Sequence, residues 1–433
     1  MTSTYCAVIV KLVNVHKHPN ADKLQLALAS GNQVVVGLDR KEGDIGVFFP
    51  SDGQLSEKMC LENKLYRKHP ETGEPMGGYF EANARVRAQK FRGSESDGYW
   101  TELETLAWTG VDIDKLEEGF TFTELKGHNV CQKYYTPATI RAMNQPKSKA
   151  ARKIKLKERM CMLREHFDTK QLRQNVRSIP SGSVLHFTEK CHGTSGRTGH
   201  VYSMPDMKWY HKVLKFLGKD LHKWVYATGT RRVIVDTEML GEKGFYDGCT
   251  FRIDVHKKLK AMGLHKGECF YYELVGFTDQ GGQIMHSHKV SDKKMKKRYG
   301  DEMVYKYDCV PDIPNKAYRV LVYRITMSNQ DNKVIELPWH QVVARCAELG
   351  LETVPPLAEP FVYGGDDESL LELCRNLADG SSVLDQSHIR EGVCVKVEHP
   401  NMENVYKYKG FWFSEFEGNL KNDDNYVDPE DVA

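Results

Sequence analysis

The residues with the clearest chemical potential begin with a lysine placed directly after a candidate strand. Residues 183–188 form a strand pattern that runs into Glu189 and Lys190, and a turn rich in glycine, serine and threonine follows. Such a lysine is either a solvated ammonium on a structural loop or a nucleophile, and the short KxxG spacing by itself favours the loop. As a nucleophile it must first lose its proton, which costs an ordinary lysine about 4–5 kcal/mol at pH 7.

Later segments carry carboxylates and further lysines on short candidate strands. Glu273 lies inside an apolar strand, and Glu391 and Lys396 lie at the two ends of another. Lys407 and Lys409 alternate along a strand, so both ammonium groups face the same side. Each segment alone is compatible with a surface strand that carries an ion pair. The presence of all of them in this order is much less expected by chance.

Five motifs follow one another between residues 181 and 410, namely KxxG, YxELxG, VYRI, EGxxxK and KxK. In this order they resemble the covalent nucleotidyltransferase superfamily of ATP-dependent polynucleotide ligases and mRNA capping enzymes. The spelling TEKCHGTS is most similar to the RNA ligases that seal nicks. The resemblance implies an α+β fold with a nucleotidyltransferase (ligase) domain of antiparallel sheets and flanking helices.

The resemblance also implies a three-step reaction. The lysine takes AMP from ATP and releases pyrophosphate, the AMP moves to an RNA 5′-phosphate, and a 3′-hydroxyl attacks that activated end. ATP and Mg²⁺ or Mn²⁺ are the implied cofactors. RNA, as a nicked duplex or as broken tRNA-like ends, is the implied partner, which points to RNA repair.

Each matched residue takes a role from the resemblance. The catalytic roles fall on Lys190 as the nucleophile, Glu273, Glu391, Lys396, Lys407 and Lys409. The nucleotide-binding roles fall on Thr188, Glu189, Gly193, Arg197, Arg231 and, stacked on adenine, Tyr323. Glu273 and Glu391 are the implied metal ligands, since Mg²⁺ takes oxygen ligands. Positive charge from the later lysines and the metal would lower the cost of deprotonating the nucleophile.

Two positions depart from the DNA-ligase form of the first motif. Ser195 stands five residues after the lysine, where DNA ligases carry arginine, and His192 stands where they usually carry aspartate. The arginine that contacts ribose or the nicked end is therefore either Arg197 or one of Arg231 and Arg232.

The first 125 residues read as short strands separated by turn residues, a pattern typical of a small closed barrel or of a small β-sandwich. A second resemblance, to the OB-fold tRNA-binding domains of some aminoacyl-tRNA synthetases, favours the barrel. It rests on His18, Pro19, Ala21, Asp22, Leu24, Val35, Val36, Gly37, Arg92, Gly93, Ser96 and Gly98. It implies an OB-type domain that binds nucleic acid.

We predict three units: an OB-fold domain over 1–125, a basic helical linker over 126–180 and the ligase domain over 181–433. Within the linker, residues 147–177 carry eleven lysines and arginines against three acidic residues and contain few helix breakers. This strip is either a solvated interdomain helix or a surface that binds RNA phosphates, and the ligase resemblance favours the second.

Composition argues against an integral membrane protein, a collagen-like fibre and a disordered scaffold. The 433 residues suggest two or three domains, the formal net charge is +2, and no apolar window approaches the ~20 residues of a membrane span. A signal peptide is not expected. Eleven scattered cysteines without a CxxC pair predict a reducing, intracellular location, namely the cytoplasm, or a host cytoplasm if the chain is viral. We expect a monomer.

Other functions remain open at this point. Capping guanylyltransferases and most DNA ligases place an OB domain after the KxK strand, but only 24 residues follow Lys409 here. A non-enzymatic alternative is an OB-fold RNA-binding protein with an inactive ligase domain. A metal site at His286 and His288, or a thiol nucleophile at Cys191, lacks the accompanying residues that either would need.

Overall fold

A computed structural model of the chain describes residues 5–144, 162–204, 209–235, 246, 248–399 and 402–428. It combines α-helices with mainly antiparallel sheets, which confirms the predicted mixture of sheets and flanking helices. Within these ranges, no helix has both the length and the apolar composition required to cross a bilayer.

The N-terminal unit is built around a long first strand whose alternate residues enter two cores. Ala7 and Ile9 pack into one cluster, whereas Val8, Val10 and Leu12 pack into the other. The strands of the unit are β1 (Ala7–Lys17), β2 (Leu24–Ala29), β3 (Asn32–Gly37), β4 (Ile45–Phe49), β5 (Gly53–Leu55), β6 (Arg85–Val86), β7 (Ala88–Phe91), β8 (Ser94–Asp97), β9 (Tyr99–Glu102), β10 (Thr121–Phe122), β11 (Glu124–Leu125), β12 (His128–Asn129) and β13 (Cys131–Lys133). The helices are α1 (Glu57–Glu62) and α2 (Pro137–Asn144).

The main N-terminal sheet is a half-barrel. Its order is β3-β2-β1-β4-β9, with β10 also paired to β1. Strand β1 pairs with β4 through its first half and with β2 through its second half, so the sheet bends along this strand. No strand ladder joins β3 to β9 in the part of the chain described, and the closed barrel stays a prediction.

The N-terminal core continues beyond the predicted boundary at residue 125. Leu125, Val130 and Cys131 pack in the same cluster as Ala7 and Ile9, and β13 pairs with β5. A cut at 125 would therefore divide a packed unit. The reason is that β11–β13 read as separate short turns in the sequence and gain their apolar contacts only in three dimensions.

The predicted linker over 126–180 contains helix α2, but its basic strip does not form a continuous helix in the described part, residues 162–177. Residues 145–161, which hold most of the basic strip, lie outside the described residues. Residues 162–169 have no regular structure, and only a short helix, α3 (Leu172–Asn175), and one 3₁₀ turn (Val176–Ser178) follow. The helix prediction is therefore wrong for 162–171, because contacts with the C-terminal unit, such as the hydrogen bond from the Tyr271 hydroxyl to the Arg164 carbonyl oxygen, hold that segment in an extended path.

In its described residues, the C-terminal unit consists of two large sheets and a separate two-stranded sheet formed by β20 and β21. Its strands are β14 (Lys170–Gln171), β15 (Val184–Lys190), β16 (Thr194–Ser203), β17 (Lys223–Thr230), β18 (Ile234–Val235), β19 (Glu268–Gly276), β20 (His288–Lys289), β21 (Glu302–Met303), β22 (Tyr318–Ser328), β23 (Val334–Glu336), β24 (Glu352–Thr353), β25 (Pro356–Val362), β26 (Gly392–His399) and β27 (Met402–Lys409). The first sheet has the order β14-β27-β26-β15-β25, and the second has the order β18-β17-β16-β19-β22-β23 with β24 on β22.

The helices of this unit are α4 (Trp209–Phe216), α5 (Phe251–Met262), α6 (Lys293–Tyr299), α7 (Trp339–Leu349), α8 (Asp367–Ala378) and α9 (Phe411–Leu420). Three of them pack on the outer faces of the two large sheets: α8 on β26 and β27, α5 on β16 and β17, and α7 on β22. Val393 and Val395 of β26 pack on α8, whereas Phe270 and Tyr272 of β19 lie in the core with α5 and α7. Because strand residues alternate between faces, the intervening polar residues point into the space between the sheets.

Candidate active site

The inner face of the first sheet carries the lysines. Lys190 is the last residue of β15 and lies opposite Gly392 of β26, which in turn lies opposite Lys409 of β27. Two residues along, Cys394 lies opposite Lys407. Residues directly opposite one another in a sheet share a face, so the predicted nucleophile and both lysines of the KxK motif project to the same side. We call the space between the two inner faces the inter-sheet groove.

Glu391 is the central carboxylate of the groove. Its Oε1 atom lies 2.6 Å from Lys190 Nζ and 3.4 Å from Lys409 Nζ, and only 2% of its side chain is exposed. Burial alone would raise the pKa of Glu391, but Lys190 and Lys409 hold it well below its usual range. The immediate partner of Lys190 is thus an anion, and this anion favours the ammonium form of Lys190. The sequence instead predicts positively charged neighbours for this lysine.

Lys396 connects the two sheets rather than lining the nucleophile. It is buried, its Nζ donates to the carbonyl oxygen of Tyr323 at 2.8 Å, and it lies 4.1 Å from the centre of the Trp339 ring. Burial lowers the pKa of Lys396 to about 8. This lysine therefore sits further into the groove, beside the predicted adenine-stacking residue.

The second sheet contributes Glu273 and Tyr323. Ser195 Oγ donates to Glu273 Oε2 at 3.3 Å, and these two residues are opposite one another on β16 and β19. Tyr323 occupies an irregularity in the β19–β22 ladder, and burial raises the pKa of its hydroxyl, with the nearby Glu273 charge adding to the effect. The predicted metal ligand and the predicted adenine partner therefore share the inner face of the second sheet.

The two candidate arginines have different environments. Arg197 is almost fully buried and donates through Nη1 to the carbonyl oxygen of Arg231 at 2.6 Å. Arg231 and Arg232 instead line the same pocket as Lys190 and Lys407. Arg197 thus supports the backbone of the arginine pair, and Arg231 or Arg232 is the better placed to meet a ligand.

Thr188, Glu189 and Gly193 surround the nucleophile in different ways. Thr188 is on the same face as Lys190, but the Glu189 carboxylate points to the other face and accepts from the Val383 amide at 2.7 Å. Gly193 does not have a positive φ. Only glycine fits at position 193 because a Cβ there would lie 2.4 Å from the Leu274 carbonyl oxygen.

Several residues were not assigned to the active site by sequence reasoning, although one of them, Arg173, lies within the predicted basic strip 147–177. Glu417 of α9 lies 2.7 Å from Lys409 Nζ, and Arg173 donates to the Lys409 carbonyl oxygen at 3.0 Å. A pocket beside Lys190 also includes Arg85, Arg87 and Lys133 of the N-terminal unit. No motif marks these residues, since they belong to distant segments that only the fold brings together.

The groove has unsatisfied polar atoms that fit a polar ligand. Among the described residues, Tyr323 Oη and Thr188 Oγ1 are buried without a hydrogen-bond partner, and Glu391 Oε2 and His192 Nδ1, also buried, lie 3.7 Å from each other, beyond hydrogen-bond distance. The described ranges contain no group of three histidine, cysteine or acidic ligands that could enclose a metal alone. Mg²⁺ bound to phosphates needs only one or two carboxylates, so Glu273 and Glu391 fit such an ion.

A lysine at the end of a strand, with carboxylates and further lysines between two antiparallel sheets, defines a nucleotidyltransferase-type site. The RNA ligase family model matches residues 184–409, which is more than half of the chain. The chain therefore belongs to the RNA ligase family, as the motifs predicted.

Solved structures agree with this membership at the level of the fold. A Naegleria gruberi RNA ligase variant without ligand is 14% identical with a TM-score of 0.54, and the match covers 95% of this chain and 98% of that chain. A variant of that ligase with ATP and Mn gives 14% identity, a TM-score of 0.55 and coverage of 94% and 98%. The Naegleria gruberi RNA ligase with PPi is 13% identical with a TM-score of 0.54, and the match covers 97% of this chain and 99% of that chain. No curated protein sequence matches the chain.

Proposed function

We propose that this RNA ligase uses ATP and a divalent metal ion to join an RNA 3′-hydroxyl to a 5′-phosphate through a lysyl-AMP at Lys190. The observation that carries the proposal is the arrangement of Lys190, Glu391, Lys407 and Lys409 around one groove. Structures of the Naegleria gruberi ligase with ATP and Mn, and with AMP and Mn, support this choice of cofactors.

In the first step, Lys190 Nζ forms a bond to the α-phosphorus of ATP, and the bond from that phosphorus to the bridging oxygen breaks to release pyrophosphate. The lysine loses its proton to solvent, because Glu391 Oε1, 2.6 Å away, has a pKa held well below its usual range and does not keep a proton. A divalent ion held by Glu273 and Glu391 would stabilise charge on the phosphates and reduce the hold of Glu391 on the ammonium.

In the next steps, the lysines bind the phosphates and the RNA ends. Lys407 and Lys409 face the same side as the nucleophile, so they can contact the α-phosphate and the developing charge on it. AMP then passes to the RNA 5′-phosphate, and attack by the 3′-hydroxyl releases AMP and forms the phosphodiester. Arg231 or Arg232 is the proposed contact to ribose or to the nicked end.

We propose that the N-terminal unit is an OB-type domain that binds RNA. Arg85, Arg87 and Lys133 lie in the pocket that also contains Lys407, and cationic groups on both sides of a pocket favour a phosphate backbone. The Arg87→Ala variant tests this: we expect nick sealing to fall while self-adenylylation persists. Equal loss of both would contradict an RNA-binding role.

We further propose a role in RNA repair for a monomer in a reducing compartment, the cytoplasm. Ten cysteines within the described residues are free thiols, and nine of them are buried or lie inside strands, which is compatible with that compartment.

The decisive experiment follows transfer of label from α-labelled ATP with Mg²⁺ or Mn²⁺. Wild type should acquire a covalent AMP on Lys190, Lys190→Ala should not, and Lys266→Ala, which changes an exposed lysine of the same domain, should label normally. Label in Lys190→Ala, or label from GTP alone, would refute the proposal; the second result would favour a guanylyltransferase.

A further inference from the structure

The segment of residues 162–168 lies inside the inter-sheet groove. Its first part, Met162 and Leu163, packs in a cluster with Tyr271 of the second sheet. Tyr271 also donates its hydroxyl to the Arg164 carbonyl oxygen at 3.1 Å, and Arg164 donates to the Asn332 carbonyl oxygen at 2.9 Å. The segment thus enters the groove over the strands that carry Tyr323 and Glu273.

His166 occupies the space beside Tyr323. The two rings meet edge to face with centroids 5.2 Å apart, and Tyr271 lies 6.0 Å away on the same face. His166 Nδ1 is buried and has no hydrogen-bond partner among the described residues. If Tyr323 stacks on adenine, as the proposed function has it, this imidazole lies where the base would be.

The surroundings of His166 are cationic. Burial and the charges of Arg324 and Arg231 hold the pKa of His166 well below its usual range, so the ring is neutral. A neutral, flat heterocycle with an unsatisfied nitrogen, held among arginines, has the chemical features of a purine base next to its phosphates.

Asp168, at the end of the segment, pairs with an arginine of the candidate site. Asp168 forms an ion pair with Arg231, and both residues line the pocket that contains Lys190. Between them, Phe167 lies 4.3 Å from the Arg324 guanidinium but keeps 42% of its surface exposed. The carboxylate of Asp168 therefore uses the cation that a phosphate or a ribose hydroxyl would need.

We propose that residues 162–168 are an internal occupant of the nucleotide site, with His166 in the place of the base, and that ATP binds only when this segment moves out. The inference rests on the proposed function, because it takes the inter-sheet groove as the ATP site. It adds an autoinhibitory contact: ATP affinity is reduced by the fraction of molecules in which the segment is seated.

The contacts of residues 166–168 are weak enough to be displaced. These residues have no regular secondary structure, and beyond the packing of Met162 and Leu163 and the hydrogen bonds at Arg164 the segment contacts the groove through the His166 ring, one cation–π pair and one ion pair. An aromatic pair and a partly exposed ion pair, whose side chains are 23% and 34% exposed, each contribute modestly. Loss of the His166 ring is therefore expected to strengthen ATP binding by about two- to tenfold.

The test measures equilibrium binding of ATP with Mg²⁺ by calorimetry in full-length protein that carries Lys190→Ala, so that no covalent step intervenes. We expect His166→Ala to lower the Kd for ATP about two- to tenfold, and His166→Phe, which keeps a ring of similar size, to leave it within about twofold of the parent. An unchanged or higher Kd in His166→Ala would overturn the proposal.

Hydrogen exchange gives a second readout that does not depend on a variant. Adding ATP and Mg²⁺ to the Lys190→Ala protein should speed amide exchange in the peptide that spans 162–168 while slowing it in β15 and β26. Slower exchange in 162–168 would show that the segment closes over ATP and would overturn displacement. Failure of the proposed function has a different signature, since both wild type and His166→Ala would then lack AMP on Lys190.

Discussion

Arg173 joins three parts of the molecule, and its replacement by methionine should therefore affect stability and catalysis together. Its Nη1 atom lies 3.0 Å from Asp97 of the N-terminal unit, its Nη2 atom donates to the Lys409 carbonyl oxygen at 3.0 Å, and its guanidinium lies 3.9 Å from the Tyr408 ring centroid. Only 9% of the Arg173 side chain and 6% of the Asp97 side chain are exposed.

The expected cost follows from burial. Removing one partner of a buried ion pair leaves an uncompensated charge and typically costs about 3–5 kcal/mol. Ser51 Oγ, 2.6 Å from Asp97 Oδ1, remains to bind the carboxylate, so we expect Arg173→Met to destabilise the protein by about 2–4 kcal/mol. Methionine retains an apolar stem, so the loss reports the charge rather than a cavity.

A double-mutant cycle measures this coupling. In urea unfolding followed by tryptophan fluorescence, Arg173→Met should lose more stability than the double variant Arg173→Met, Asp97→Asn. Adding Asp97→Asn should recover at least about 1 kcal/mol of the free energy of unfolding, because no unpaired charge then remains. A loss below about 1 kcal/mol in Arg173→Met, or additive effects of the two substitutions, would refute the reasoning.

The same variant should slow the first chemical step. Without Arg173, the backbone at Lys409 loses an anchor, and small displacements of catalytic groups reduce rates strongly. We expect the rate of lysyl-AMP formation to fall about tenfold to a hundredfold at saturating ATP. A normal rate in a destabilised protein would mean that Arg173 supports the fold but does not position Lys409.

Three other substitutions test the site. Lys396→Met should stabilise the protein by about 1–3 kcal/mol at pH 7 in urea unfolding. In wild type, the unfolded chain holds this proton between about pH 8 and pH 10.5 while the folded chain has lost it, so stability rises with pH in that window. The variant should lack the rise, and an unchanged rise would contradict a lowered pKa for the buried Lys396. Glu391→Gln should reduce lysyl-AMP formation at least about a hundredfold and make stability less sensitive to acid. The pKa of Glu391 is depressed in the folded state, so the ionised carboxylate stabilises the fold at neutral pH, and this stabilisation is lost as pH falls below the usual carboxyl range. Equal acid sensitivity of the two proteins would argue against this role of Glu391. Gly193→Ala should cost about 1–3 kcal/mol and most of the activity, since the new Cβ meets the Leu274 carbonyl oxygen, whereas Gly364→Ala, with open space around it, should be neutral; matched stabilities of the two would refute the packing argument.

Residues that act through local sequence could be recognised without a structure. Lys190 follows a strand pattern, Lys407 and Lys409 alternate along a strand, and Glu391 precedes one, so their order predicted an RNA ligase, which the family model confirmed. The mixture of helices and antiparallel sheets was also predictable, because alternation and turn residues are properties of neighbouring positions.

Contacts between distant segments depended on the tertiary structure. Glu391 is the closest partner of Lys190 although 201 positions separate them, and Arg173, Asp97 and Lys409 meet only because two units pack together. The path of residues 162–168 is of the same kind: local composition favoured a helix, but Tyr271 and Tyr323 hold the segment extended in the groove. Sequence encodes which side chains can do chemistry, while distance and burial, which set their charge states, arise when the sheets close on one another.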